Sequence, residues 1–567
     1  MRSFNGKLKM NKRNYLILLF LVLNIKAIGQ SAPNIREEII QKNKLDYLER
    51  EKNLDYDGSF QGEKSQELTS QTEINVEEGY KFKDITILGN EEIKKSLSEK
   101  SEKFLGKNIN NTEIYNLLNS INNEIYKNGY ITSSVIFKEG NIYEGKIILE
   151  IVEGKINEIY FNGEEKKSAD SIKIATAFPS YKEKLLNIRY LDQGIENLNN
   201  SGWIHRMEIV RAKEGYSDIV IYRKKNNGDF SLNYDNSPVE KAREKLGFSY
   251  QLPNPLSLND SLNLSYSTKL GPERKRNKEN IYDLSYSIPY GSYKFLYNLN
   301  ITKNHTVTNG INREITRDVN TIKQKFKLEK VISRGESHKT TANIFLNIRD
   351  KDTHINKQKI GVQSKKYATT GIALNHFDKL WGGSIFLSLQ YEKGVPWFGA
   401  EGDSKNSSNV LKKEFDKFST TVDWRRRFPL KNNDLLEYRF SLGAAYSNDA
   451  TLDIYKFSVG DEYTVRGFKK NGISGEKGIY INNTLSYRFN SDNYKYLHYF
   501  TPFIGLDFGK TRDKSLTKSD SIVGGAIGLK FNNEHIHASL TYGIPLKHSK
   551  FNKKEENTIY FSIGYSF

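Results

Sequence analysis

The chain of 567 residues has no cysteine, only 11 prolines and only 3 methionines. Without cysteine there can be no disulfide framework, no thiolate zinc or iron–sulfur ligation and no Cys nucleophile. No apolar run reaches the roughly 20 residues that a spanning helix needs, and the mean hydropathy is −0.65. The 9 histidines are scattered. His535-Ile536-His537 has no sequence-adjacent carboxylate beyond Glu534, which is too little for a metal site. There is no G-x-S-x-G elbow with triad partners. Gly509-Lys510-Thr511 echoes the end of a phosphate loop, but Ile504 stands where its first glycine belongs. No catalytic residue, metal or cofactor is therefore expected. Low hydropathy does not exclude a membrane barrel, whose alternating strands average out as polar.

The net charge of +18 comes from 86 Lys and Arg against 68 Asp and Glu. Part of it sits in residues 1–29, where Arg2, Lys7, Lys9, Lys12, Arg13 and Lys26 meet no acid. That basic stretch, the apolar run Tyr15–Leu23 and the small residues Ala27-Ile28-Gly29 read as a secretory signal, with cleavage before Gln30. The mature chain is then expected to work beyond an inner membrane, where ATP is not available. Elsewhere Lys is interleaved with Asp, Glu and Asn, which reads as solvated surface rather than a nucleic-acid track. The 35 Tyr and 30 Phe fit strand propensity and interfacial aromatic belts.

Residues 30–52 read as a helix. Pro33 suits its first turn, Ile35, Ile39 and Ile40 form a stripe, and Glu37, Glu38, Lys42 and Lys44 make a charged face. Residues 53–79 are poor in apolar residues and read as a tether. Residues 80–153 predict the order β-α-α-β-β, with strands at Phe82–Ile87, Ile131–Phe137 and Lys146–Val152 and helices around Glu91–Leu105 and from Asn111 to Gly129. Residues 154–226 repeat that order, which makes an internal structural repeat.

From residue 227 to 567 the texture is dyadic. Phe230, Leu232 and Tyr234 alternate with Ser231 and Asn233; Ile559, Phe561, Ile563 and Tyr565 alternate with Tyr560, Ser562, Gly564 and Ser566. Apolar outside and polar inside is what a lipid-facing barrel needs, and closure removes every unpaired edge. At about 20 residues per strand and connection the region holds roughly seventeen strands, and the even-number rule makes that sixteen.

With those features in hand, the chain resembles the two-partner secretion outer-membrane transporters, the hemolysin-activator and filamentous-hemagglutinin transporter family. The resemblance covers nearly all of the mature chain. It rests on Ile125–Thr132 with Ile151–Ile156, on Leu186–Arg189 with Gly215–Asp218, and on Asn254–Asp260 with Tyr286–Gly291. Its sharpest element is Val465-Arg466-Gly467-Phe468, paired with Gly505-Leu506-Asp507-Phe508-Gly509. One departure is Asn482-Asn483-Thr484-Leu485, where the family tends to carry an acid.

The resemblance implies two periplasmic POTRA units (80–153 and 154–226) followed by a transmembrane antiparallel barrel. A loop around 458–480 would fold into that barrel, and the 30–52 helix would rest in the pore as a plug. It also implies an outer membrane of a Gram-negative cell and a single chain in lipid. The partner is a large exoprotein with an N-terminal secretion domain, which crosses unfolded and without ATP. Arg466 offers a five-donor fork and Asp507 a matching carboxylate, so this pair is expected to hold the loop to a wet wall, weakened there by solvent. A protein insertase of the same superfamily, or a passive porin or adhesin, would share the dyad pattern.

Overall fold

A computed structural model describes residues 35–54, 79–162, 168–224, 229–236, 244–271, 275–310, 313–403, 411–490, 496–514 and 516–567. The expected signal segment and most of the expected tether lie outside these residues. The first repeat unit has strands Asp84–Leu88, Ser134–Asn141 and Lys146–Val152. The first strand pairs in parallel with the third, which pairs antiparallel with the second, so the first and second are the sheet edges. Helix Asn111–Lys127 covers the sheet, burying Ile114, Leu117, Ile121 and Ile125, and the Asn110 side chain caps its start.

Two expectations need correction in this unit. The stretch Glu91–Leu105 is two short helices, Glu91–Lys94 and Ser98–Glu102, broken so that Leu97 and Phe104 both reach the core. The second strand starts at Ser134, not Ile131, because Gly129 (φ 92°) ends the helix and Ser133 N–H closes a turn onto Tyr130 O.

The second unit repeats the sheet with strands Lys155–Phe161, Ile204–Lys213 and Tyr216–Lys224 in the same order. Besides helix Ile188–Asn199, it carries Ser168–Ala177, a helix the sequence pattern had not located. The two units are stitched by Ile188 N–H to Gly129 O at 2.8 Å and the Asn187 amide to Asn128 O at 3.1 Å.

Residues 229–566 form a closed antiparallel barrel of sixteen strands. The two-residue strand Gln358–Lys359 only folds back on Lys339–Ile355, which pairs directly with Lys365–Leu380. The burial is inverted relative to a soluble sheet. Ile344 and Ile372, directly paired, are 57% and 58% exposed, while inward Thr353 and Asp423 are 0% exposed. Thr558–Ser566 closes onto Asp229–Asp235 through the pairs Ser562–Asp235 to Ser566–Ser231. Asn236 extends this seam: its amide donates to Ile559 O at 2.8 Å and its Oδ1 accepts from Phe561 N–H at 2.9 Å.

The segment Asn254–Asp260 is where the second unit meets the barrel. Asn254, Ser257 and Asn259 all have positive φ, and Asp260 accepts from the backbones of Leu256 and Leu258 at 3.2 Å. This tight turn presents Asn259, whose amide donates to Lys173 O at 2.7 Å and to Thr176 Oγ1 at 2.8 Å. Asn197 donates to Gly291 O at 2.8 Å in the next turn of the barrel. Glu196 meets Arg334 and Lys339 of a third turn.

Burial alone would raise the Glu196 carboxyl, but Lys339 and Arg334 outweigh it and hold it down to about 2. A depressed carboxylate contributes above its unfolded value and loses that contribution as pH falls through its folded one. The distance between spin labels on the second unit and the barrel should thus stay constant down to about pH 4.5 and spread between there and about pH 2. Glu196→Gln should abolish that pH dependence; a spread unchanged by this variant would remove Glu196 as the cause.

Candidate functional site: a loop clasped inside the barrel

The connection between strands Leu435–Ser447 and Lys477–Arg488 turns into the bore instead of outward. Phe457–Val459 pairs antiparallel with Ile473–Gly475, making a narrow hairpin. Its tip is folded on itself: Asp461 accepts from Tyr463 N–H at 2.9 Å and Thr464 Oγ1–H at 3.0 Å, and Thr464 Oγ1 accepts from Gly460 N–H at 2.9 Å. Val459, Val465, Phe468 and Ile473 pack with wall residues Tyr480 and Ile522 into a small core. Apolar burial inside a hydrophilic bore drives the hairpin against one side of the wall.

Arg466 lies at the centre. Its Nε and Nη2 donate to the two carboxylate oxygens of Asp507 at 2.7 Å each, and its backbone N–H donates to Oδ2 at 2.9 Å. Nη2 also donates to Asn483 O at 2.7 Å, and Asn483 N–H reaches Asp507 at 3.3 Å. The guanidinium faces the Phe503 ring at 6.0 Å. Arg466 is 5% and Asp507 1% exposed. The expectation of a wet, screened pair is therefore overturned: the loop core and the wall exclude water from the clasp. For a buried pair the cost of removing one partner is about 3–5 kcal/mol, because the other charge is stranded.

The wall makes room by having no side chains there. A Cβ on Gly505 would lie 2.0 Å from Arg466 Nη2, and one on Gly524 would lie 1.7 Å from Arg466 O. Gly509 seats Val459 and Val465, and Gly543 lies under Gly467, whose φ is 98°. Gly505, Asp507 and Gly509 were legible as a motif. Gly524 and Gly543 were not, though both occupy inward positions in register with Asp507 and Ala526. Glu555 was also missed; it accepts from the backbones of Lys470 and Asn471 at 3.1 and 2.7 Å. At the departure from the family pattern, the Asn482 amide donates to Thr464 O at 3.2 Å.

The helix runs from Ile35 to Leu54 within the bore. The side chains of Ile35, Ile39 and Ile40 lie outside the described residues. Polar groups further along hold it. Asn43 donates to Asp461 at 2.7 Å, Lys44 meets Asp235 at 3.3 Å, and Arg50 donates to Tyr480 Oη at 2.7 Å. Arg439 donates to Tyr47 Oη at 3.0 Å and Arg425 to Leu54 O at 2.7 Å. Tyr47 also lies 5.4 Å from Tyr463 of the loop, so helix and loop touch each other as well as the wall. Among the described residues no group of His, Asp and Glu is arranged to hold a metal.

The sequence profile of haemolysin secretion/activation protein ShlB/FhaC/HecB matches residues 215–531. The chain belongs to this family. A ShlB-type POTRA profile matches residues 79–154, and a further POTRA profile matches 155–203. The outer membrane transporter CdiB of Dickeya dadantii is 26% identical over 474 residues, covering 82% of each chain. The hemolysin transporter protein HpmB of Proteus mirabilis is 24% identical over 470 residues, covering 81% of each. The structure of CdiB from Escherichia coli superposes with a TM-score of 0.82 at 23% identity, covering 95% of this chain and 100% of that one.

The protein is an outer-membrane transporter of two-partner secretion, with its POTRA domains in the periplasm. It is a secretion channel and not an enzyme, and its partner is a large exoprotein. The barrel turns that dock on the second POTRA domain therefore face the periplasm, and the clasped loop enters from the cell surface.

Gly505→Ala should expel the Arg466 guanidinium while leaving the strand pairing intact. Limited proteolysis on whole cells is expected to cut the 448–476 loop in this variant and spare it in the parent; equal protection would show that the seat tolerates a methyl group.

Proposed function

We propose that the POTRA domains capture the exoprotein as an unfolded chain and pass it through the bore, and that folding outside, not ATP, makes passage irreversible. The observation that carries this reading is a polar bore whose contents are attached by side-chain contacts and so can be rearranged. The sheet edges Ser134–Asn141 and Ile204–Lys213 support capture by strand addition, in which backbone hydrogen bonds give affinity without demanding one sequence. Each offers an apolar anchor, Ile136 at 47% and Ile204 at 59% exposed. The apolar residues of the outer face, such as the neighbouring Ile344 and Ile372, support a single chain surrounded by lipid.

The Arg466–Asp507 clasp holds the loop in one arrangement during passage. Arg466→Ala should leave the barrel assembled, read by its heat-modifiable migration, and lower secretion by roughly tenfold or more, given about 3–5 kcal/mol for a broken buried pair. Arg466→Lys should not rescue it, since an ammonium cannot bridge both carboxylate oxygens. Normal secretion by either variant would remove the clasp from the mechanism.

Residues 35–54 act as a resting plug. Arg50→Ala, which gives up the contacts to Tyr480 and Asp423, should raise the open fraction in planar bilayers. A large, steady conductance that this variant leaves unchanged would instead favour a passive porin.

A further inference from the structure

The strands that seat the loop carry a second chemistry on their other face. Inside, Asp507 holds the clasp, Asn482 reaches Thr464, and Ile522 and Gly524 lie against the hairpin. Strand alternation therefore turns Phe508, Lys510 and Arg512 outward, with Lys477 and Ile481 on one side of them and Ser519 and Ser521 on the other. Along the strand Phe500–Asp513 the outward residues change character abruptly. Ile504, Leu506 and Phe508 are apolar and exposed; Lys510 and Arg512 follow at once and are exposed too. The clasped loop enters at this end of the barrel. The cations thus stand where the apolar band gives way to the headgroups of the outer leaflet, with Phe508 and Tyr446 as the aromatic residues at that level.

Four cations gather here within three strand spacings, about 14 Å. Lys477 and Arg512 are directly opposite across the ladder, Lys510 is the next outward residue below Arg512, and Lys547 pairs with Val523. The contacts of Lys477 and Lys547 are with neutral groups. Lys477 donates to Asn448 Oδ1 at 3.2 Å and lies 4.0 Å over the Tyr446 ring, and Lys547 donates to Ser521 Oγ at 2.8 Å. The acids of the strands Lys477–Arg488, Phe500–Asp513, Lys518–Asn532 and Ile536–Lys547 are Asp507, Asp513 and Asp520, and by alternation all three point inward. Asp513 meets Lys456 at 2.9 Å, and Asp520 accepts from Lys550 N–H at 3.2 Å. In the adjoining connections Glu476 accepts from Lys514 N–H at 2.7 Å and Glu555 from Asn471 N–H at 2.7 Å, while the exposed Glu556 shares its connection with Lys550, Lys553 and Lys554. Elsewhere on the rim the outward cations do meet carboxylates: Lys393 with Asp416 at 3.4 Å, and Lys359 with Asp352 at 2.6 Å.

Like charges directly opposite weaken a sheet, and an anion bound between them removes that cost. Arg512 offers a planar fork suited to phosphate, and Lys477 and Lys510 add point charges. Ser519 lies opposite Arg512 and Ser521 opposite Lys510, so hydroxyl donors complete the patch. We propose that this patch binds the phosphorylated headgroup of an outer-leaflet lipid, with the acyl chains lying along the apolar band below Phe508. The same strands seat the loop from within, so an occupied patch steadies that seat. The inference stands on the outer-membrane location alone and not on the route of the exoprotein.

Lys510→Gln with Arg512→Gln removes two of the cations and relieves the Lys477–Arg512 opposition, which favours folding. In detergent, the unaltered chain is expected to retain bis-phosphorylated lipid A, read by native mass spectrometry, at least several-fold more than the double variant. Both should retain the dephosphorylated lipid equally. The phosphorylated lipid should raise the Tm of the unaltered chain and leave that of the double variant unmoved, since a ligand stabilises only the state that binds it. Without lipid the double variant should melt no lower than its parent. Lys359→Gln, elsewhere on the rim, should leave retention unchanged. Equal retention by the unaltered chain and the double variant, an equal loss in Lys359→Gln, or a Tm rise that inorganic phosphate reproduces at the same concentration overturns the proposal.

Discussion

Hydrocarbon offers no partner for a backbone N–H or C=O, and this constraint shapes the chain from residue 229 onward. Every strand must find two neighbours, and the first must find the last. That final pairing, Thr558–Ser566 on Asp229–Asp235, is short, and the interior reinforces it. Asn236 bonds two backbone groups of the last strand, Lys44 of the helix meets Asp235, and Lys469 of the loop meets the Asn236 carbonyl. The elements that occupy the bore therefore also brace the place where the cylinder closes.

Closure inverts the usual distribution of polarity, and the site follows from the inversion. A hydrophilic bore would leave an inserted loop solvated and loose. The chain avoids this by building a small dry core inside the bore from Val459, Val465, Phe468 and Ile473, and by clearing the wall of side chains at Gly505, Gly509, Gly524 and Gly543. The guanidinium–carboxylate contact then sits where water does not screen it. Register and strength come from the same arrangement, since a planar fork bridging both carboxylate oxygens adds geometric specificity as well as energy.

The periplasmic side obeys a different logic. The POTRA domains have ordinary apolar cores. Their junction with the barrel is polar: Asn197 and Glu196 meet two barrel turns, and Asn259 of a third barrel turn reaches back to Lys173 and Thr176. Amides bonded to carbonyls fix an angle between two bodies without requiring an apolar patch that would be exposed before the barrel inserts.

Much of this was legible in the chain. The dyad of Phe230, Leu232 and Tyr234 against Ser231 and Asn233 dictated a lipid-facing barrel, because side-chain direction alternates in a strand whatever its neighbours are. The repeat order and the 465–468 and 505–509 motifs were likewise local signals. Other features were decided by tertiary structure alone. Whether the Arg466–Asp507 pair is wet or dry depends on residues far apart in sequence that the hairpin brings around it. That Gly524 and Gly543 seat the loop, that Asn254–Asp260 is a docking turn, and that Lys477 faces Arg512 follow from strand register. Register is set by pairings between separate segments, and no single segment carries it.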